Sequence, residues 1–287
     1  AIANGGESAY EPITISDDRG GVTTAGIKTY GRAVHSFVSR TGDYTIERVK
    51  DGGLFEPSFK QIEELSINTY NAENPCGLMF LDHCVGNVDE GKMDHWVEWY
   101  ENVLGFAMFK HFDDADISTE HSALMSKVMA SGNNLIKFPI NEPAIGKKKS
   151  QIQEYLEWHD MCPGVQHLAF RTNDCLASVA KLRRRGVDFL RIPDEYYEDV
   201  WTRVDACLAK HGLEAVREDH ERIKDLGILI DADDQGYLLQ RFTKPLQDRP
   251  TLFFEIIGRR GSQSFGKGNF KALFESLELE QDRRGNL

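Results

Sequence analysis

Two histidines and one glutamate interrupt runs that are otherwise apolar: His83 in "LMFLDHCVGNV" (78–88), His167 in "GVQHLAF" (164–170) and Glu255 in "TLFFEII" (251–257). A buried imidazole needs partners for both ring nitrogens, so each histidine is either tied into a core hydrogen-bond network or bound to something. A carboxylate in such a strand is costly unless it is paired, protonated or held by a metal. Strand alternation puts Val165, His167 and Ala169 on one face of their run, and Phe253, Glu255 and Ile257 on one face of theirs. Two neutral imidazoles and one carboxylate with open positions suit non-haem Fe(II) and its O₂ chemistry. Zinc accepts the same ligands in hydrolytic sites, so the three residues fix a divalent metal and leave its identity open.

Such distant residues meet only if their strands do, and an internal repeat supplies the means. The first copy opens with the strand carrying His83 and continues with a helix, "MDHWVEWYENVLG", in which Met93, Trp96, Tyr100 and Val103 recur at helical spacing before Gly105. Strand-like "FAMFKHF", "ALMSKVMA" and "NLIKFPI" follow. The second copy opens with the strand carrying His167. Asn173 or Asp174 can cap the next helix, "CLASVAKLRRRG", with Leu176, Val179 and Leu182 inward and Gly186 at its end. "VDFLRIP", a helical insertion across 197–226 and the strands "GILIDAD", "GYLLQRF" and "TLFFEII" complete it. This is β-α-β-β-β written twice, and a local two-fold would bring both opening strands, with His83 and His167, to one concavity. Ahead of the repeat, residues 1–60 hold short β-like runs, "GVTTAGIKTYG" and "AVHSFVSR", and "INTYNAENPCG" (67–77) reads as a linker closed by Pro75 and Gly77.

The 287 residues, 40% of them hydrophobic, suffice for one large or two medium folded domains. A net charge of −12 and only short basic runs, Lys147–Lys149 and Arg183–Arg185, argue against a nucleic-acid partner. Five cysteines, an odd number without CxxC spacing, argue against a disulfide scaffold or cysteine zinc site and point to a reducing cytoplasm. No apolar stretch is long enough to span a bilayer, and no membrane partner is expected. The sequence begins without Met, so further chain is expected upstream of Ala1.

The runs "PINEPAIGKKKSQIQEYLEWH" (139–159), "GVQHLAF", "GYLLQRFTKPLQDRPTLFFEIIGRRG" and "FGKGNFKALFESLELEQDRRGNL" together resemble the 4-hydroxyphenylpyruvate dioxygenase family. The resemblance covers residues 77–287, and more weakly 10–60 through "YGRAVHSFV". It implies an α+β, vicinal oxygen chelate fold: repeated βαβββ modules forming an open, barrel-like sheet around the metal, with a C-terminal gating helix at 269–283. On this reading 1–70 is the later part of an N-terminal domain, and 77–287 is a catalytic domain of two modules, 77–160 and 164–260, plus that helix. The resemblance also implies Fe(II) held by His83, His167 and Glu255, an aromatic 2-keto acid and O₂ as substrates, and assembly as a homodimer or homotetramer. The keto acid would chelate the iron, and decarboxylation, ring hydroxylation and side-chain migration would yield homogentisate and CO₂.

By the same resemblance Ser126, Asn141, Gln151 and Gln166 hydrogen-bond around the substrate in catalytic positions. Gln240, Phe242, Phe253, Phe265, Asn269 and Phe270 complete the substrate pocket. Taken alone, Asn141 passes for a turn residue and Gln151 for a strand-edge amide. Gln166 lies on the face opposite His167 if the strand is regular, so its contact requires a local distortion. In "SFGKGNF", Gly266 and Gly268 let the backbone turn tightly over a cavity, while Phe270 with Leu273, Phe274 and Leu277 also reads as an ordinary helix core face. His95, His111, His121 and His211 read as surface or capping residues and His35 as structural. Two other readings stand beside the dioxygenase. One is 4-hydroxymandelate synthase, from which Pro139, Asn141 and Phe270 set this chain apart; the other is a metal-free module binding aromatic acids.

Overall fold

The computed structural model describes residues 1–60, 66–112, 123–144 and 149–283. It divides into two units, Ala1–Pro75 with Asn102–Leu104, and Cys76–Glu101 with Gly105–Leu287. In the first, β1 (Ser8–Asp17), β2 (Gly20–Lys28) and β3 (Val34–Gly42) pair antiparallel in that order, followed by the helices α1 (Ile46–Lys50) and α2 (Ser66–Glu73). The run expected as a linker is therefore helical through Glu73. Its polar residues include no helix breaker, and the two that would stop a helix, Pro75 and Gly77, come only afterwards.

The second unit contains β4 (Leu78–Asn87), α3 (Met93–Leu104, all but its last three residues), β5 (Ala107–Phe112), β6 (Ala123–Ala130) and β7 (Lys137–Ala144). After α4 (Gln151–Trp158) come β8 (Gly164–Thr172), α5 (Cys175–Arg184), α6 (Tyr196–Lys210) and α7 (His220–Asp225). The strands β9 (Leu229–Ala232), β10 (Tyr237–Phe242) and β11 (Phe253–Arg260) and the helix α8 (Phe270–Arg283) are the last of the described elements. One curled, open sheet runs β5-β6-β7-β4-β8-β11-β10-β9. In each half the opening strand lies parallel beside the last strand of its own module, β4 by β7 and β8 by β11, while β4 and β8 pair antiparallel at the centre. The α+β architecture of two βαβββ repeats follows from this order.

Local chemistry explains the helices that back the sheet. Met93, Val97, Tyr100 and Val103 form the buried stripe of α3, Trp96 being only half-buried, and Gly105 closes the helix at φ +66°. At its start, where no side chain of its own caps it, the buried Glu142 of β7 accepts from the Met93 N–H at 2.9 Å. Asp174 caps α5 by accepting from the Ala177 N–H, and Tyr197, Val200, Val204 and Leu208 bury one face of α6 in the core around β9–β11. "VDFLRIP" forms no strand beyond a single bridge, Phe189 to Thr243. The Leu190 N–H goes to the Phe242 carbonyl, but its own carbonyl is taken by the Arg241 guanidinium and Pro193 has no N–H, so pairing goes no further. His111 is exposed on β5, and His121 falls outside the described residues.

Candidate metal centre and active-site cavity

Two of the three irregularities in the central strand pair determine the site. Along β4 and β8, Leu81 faces Phe170 but His83 faces Ala169, so Asp82 is an extra residue on β4. Val85 faces His167 but Gly86 faces Val165, so Gln166 is an extra residue on β8. Each histidine is thus preceded by a bulged residue, and a bulge turns two consecutive side chains toward one side. This is the distortion that Gln166 requires. It lines the same cavity as His167, and its Oε1 lies 2.9 Å from His167 Nδ1. Asp82 Oδ2 lies 2.9 Å from His83 Nδ1.

With both Nδ1 atoms engaged, the two Nε2 atoms face inward. His83 Nε2 and His167 Nε2 lie 3.2 and 3.3 Å from one oxygen, Oε2, of Glu255, which is 1% exposed. One ligand atom from each of the three residues falls within 4.8 Å of the others. The set is a two-histidine, one-carboxylate facial triad of the kind found in Fe(II) dioxygenases. The donor types, their burial and the outward partners on Nδ1 all fit a metal held at Nε2, Nε2 and Oε2. Burial pushes Glu255 up, but the charge of His83 and the close approach of both imidazoles outweigh it and hold the carboxyl at about 2. Burial likewise opposes protonation of His83, yet Glu255 and Asp82 together raise it. For His167, without a second carboxylate, burial wins and its affinity for a proton falls.

Asp82 is itself bound by a bidentate pair from Arg259, Nε to Oδ1 at 2.9 Å and Nη2 to Oδ2 at 2.8 Å. Burial pushes the Asp82 carboxyl up, but His83 and Arg259 overcome it and hold it well below the usual range. Arg259 also donates to the carbonyls of Ser262 and Ser264 and lies over the Phe265 ring, so one side chain joins a metal ligand's partner to the turn leading into α8. Sequence reasoning missed both Asp82 and Arg259. Their only signal was a charge beside a ligand strand's apolar run.

A cavity of about 530 Å³, its mouth included, opens beside the triad. Ser126 and Asn141, paired across β6 and β7, stand on its wall with Gln151, Gln166 and Gln240. Phe242, Phe265 and Phe270 supply aromatic faces, and Pro139, Phe112 and Leu273 fill between them. Asn141 sits within β7, not in a turn, with Ser126 of β6 opposite it on one side and Asn87 of β4 on the other. Gln151 is the first residue of α4 rather than a strand-edge amide, since Ser150 caps that helix by accepting from the Gln153 N–H. Two residues expected in the pocket stand back from it. Phe253 stacks on the His167 ring at 4.9 Å and lines an adjoining cavity, and Asn269 is buried among hydrogen-bond partners. Phe265 packs edge-on to His83 at 5.0 Å, and Phe270 to Phe112 at 5.1 Å; the side chain of Phe274 falls outside the described residues.

Known proteins match this arrangement. A family model described as the glyoxalase, bleomycin resistance protein and dioxygenase superfamily covers residues 80–203. A 4-hydroxyphenylpyruvate dioxygenase of Yarrowia lipolytica is 48% identical over all of this chain and 69% of its own length, and one of Aspergillus fumigatus is 47% identical over all of this chain and 68% of its own. Among solved structures, a mutant of 4-hydroxymandelate synthase from Streptomyces coelicolor superposes with a TM-score of 0.73 at 26% identity, over 98% of this chain and 72% of that one. Identity at this level along the whole chain, on a sheet that brings together a two-histidine, one-carboxylate centre, places the chain in the 4-hydroxyphenylpyruvate dioxygenase family.

Proposed function

We propose that the chain's established family chemistry is carried out by the residues around the triad. The protein is an Fe(II)-dependent dioxygenase that converts 4-hydroxyphenylpyruvate and O₂ to homogentisate and CO₂ in tyrosine breakdown. The observation that carries this is the convergence of His83, His167 and Glu255 on one point at the floor of an aromatic-walled cavity. Fe(II), when bound there, supplies O₂ activation coupled to decarboxylation of the keto acid. Both oxygen atoms are accounted for: one enters the new carboxylate and the other the ring.

The cavity residues do the rest. Gln166 spends its carbonyl oxygen on His167 Nδ1, which leaves its NH₂ as a donor toward the substrate. Asn141 donates to Asn87 Oδ1 at 3.5 Å, which leaves its own oxygen as an acceptor; with Ser126 and Gln151 it orients the polar atoms of the substrate. Phe265 and Phe270 hold the aromatic ring, and α8 above them keeps bulk water from the reacting atoms. No helix among the described residues is long and apolar enough to cross a membrane. The five cysteines are unbridged, in keeping with a reducing cytoplasm.

The test is anaerobic loading with Fe(II), addition of 4-hydroxyphenylpyruvate and a search for the visible charge-transfer band of a chelated keto acid, then O₂ and product chromatography. Homogentisate is expected. Hydroxymandelate would move the chain to the side-chain-hydroxylating relative, and absence of any bound Fe(II) would leave only an aromatic-acid binding module.

A further inference from the structure

Glu255 presents one oxygen to both histidines, and its other oxygen has a different partner. Gln240 Nε2 donates to Glu255 Oε1 at 3.0 Å and to the Phe265 carbonyl at 3.1 Å. Both acceptors lie on the same side, so the Gln240 amide has one orientation, and its own oxygen must then accept. It does so from Asn269 Nδ2 at 2.8 Å. That fixes Asn269 in turn, with Oδ1 pointing away and accepting from the Tyr196 hydroxyl at 2.7 Å. Reversing either amide would set oxygen against oxygen in a buried site. Gln240 and Asn269 are 3% and 2% exposed, so water does not compete for these bonds.

Tyr196 is well suited to anchor the far end. It is the first residue of α6, and its hydroxyl also accepts from the Ile230 N–H at 2.8 Å and lies 2.9 Å from the Ile230 carbonyl, against the edge strand β9. The backbone between Gln240 and Asn269 is pressed closely onto these groups. A Cβ on Gly266, at φ +77°, would meet Gln240 Oε1 at 2.1 Å, and the Gly268 N–H donates to Asp231, which pairs with Arg203 of α6.

We infer that Tyr196 is a positioning residue for the metal-binding carboxylate: through Asn269 and Gln240 it holds Glu255 Oε1 away from the metal, so that Glu255 binds through Oε2 alone and coordination positions stay open for substrate. The inference rests on the metal reading above. Cutting the chain frees the carboxylate to rotate, which weakens metal binding and alters its geometry.

The test is the affinity for Co(II), measured anaerobically without substrate by competition with a chromophoric chelator, together with the visible Co(II) spectrum. Tyr196→Phe keeps the ring and removes the hydroxyl; affinity is expected to fall about tenfold, the low end of what groups behind a metal ligand contribute, with a changed spectrum. Asn269→Ser cuts the same chain without touching the bonds to Ile230 and is expected to match it. The double variant should be no weaker than either single one, because both remove one chain. Tyr197→Phe is the control, since its hydroxyl caps the Ile228 carbonyl and has no route to Glu255; it should bind Co(II) as the parent does. Parent-like affinity and spectrum in folded Tyr196→Phe or Asn269→Ser, additive losses near a hundredfold in the double variant, or an equal loss in Tyr197→Phe would each overturn the inference. A parent that binds no Co(II), or a Glu255→Gln variant that binds it as tightly as the parent, would sink the metal reading itself.

Discussion

In the second module, His167 faces Phe253 across β8 and β11, and two residues further on Glu255 stands opposite Ala169. In the first module β4 and β7 are parallel in the same way, with Gly86 opposite Ile140. Carrying that register back one residue sets Pro139 opposite Val85, two residues beyond His83. Pro139 therefore occupies the place in the first half that Glu255 occupies in the second, and it has no atom to give a metal. A fully symmetric pair of modules would surround the ion with two histidines and two carboxylates. Here the first module withholds its carboxylate and lines the vacated side with Pro139, Asn141 and Ser126, so the ligand-poor half becomes a wall of the cavity. The lesson is that duplication supplies convergence, and loss of symmetry supplies the open positions.

Removing the carboxylate that the second module does give has the largest expected effect. Glu255→Gln keeps the side chain's shape and its bond to Gln240 but removes the anion, so bound iron and O₂ uptake with 4-hydroxyphenylpyruvate are both expected to fall to background while far-UV circular dichroism stays native. Normal turnover in this variant would remove Glu255 from the ligand set. The opposite change restores the symmetry. Pro139→Glu offers a fourth ligand where substrate should chelate; metal content is expected to persist, whereas the keto-acid charge-transfer band and most turnover disappear. A variant that binds keto acid normally would show that Pro139 does not border the open positions.

The backing of the two histidines also differs. Asp82 behind His83 is an anion in a bidentate pair with Arg259, while Gln166 behind His167 is neutral. Asp82→Asn is expected to lower Fe(II) affinity about 10- to 100-fold. It also leaves the buried Arg259 without its carboxylate, a loss of up to about 3–5 kcal/mol in the folded state, which the midpoint of urea unfolding of the chelator-treated protein measures. Loss of affinity without loss of stability would mean that Arg259 finds another partner.

Much of this was legible in the chain. The alternation in 164–170 and 251–257 gave the strands and the inward faces of His167 and Glu255, and the helical spacing of Met93, Tyr100 and Val103 gave α3, because burial imposes a period on residue types. The facing of Gln166 could not be read, since nothing in "GVQHLAF" marks an extra residue; the bulge exists only in the pairing with β4. Asp82, Arg259 and Tyr196 were hidden for a related reason. Asp82 and Arg259 are held by each other, and Tyr196 by Asn269, across long stretches of sequence, and a lone charge beside an apolar run, or a tyrosine opening a helix, has the same local pattern whatever it touches. The polar helix Ser66–Glu73 escaped because composition suggests a linker wherever no apolar stripe is present.

The smallest and most discriminating change equalises the two backings. Gln166→Glu would place a carboxylate behind His167 as Asp82 stands behind His83, drawing the Nδ1 proton toward it and making Nε2 a better donor to the metal. Fe(II) affinity should therefore rise severalfold. The same carboxylate would lie on the cavity wall with no Arg259 to balance it, facing a substrate that carries its own carboxylate, and the donor NH₂ of Gln166 would be gone. The KM for 4-hydroxyphenylpyruvate should rise about tenfold, more at low salt than at high salt because the repulsion is screened. Metal titration and steady-state kinetics at two ionic strengths separate the effects. A tighter metal with a weaker keto acid would show that the neutral residue in the second module serves substrate binding at some expense of metal binding; unchanged KM would place Gln166 outside substrate recognition and reduce the difference between the modules to one of metal backing alone.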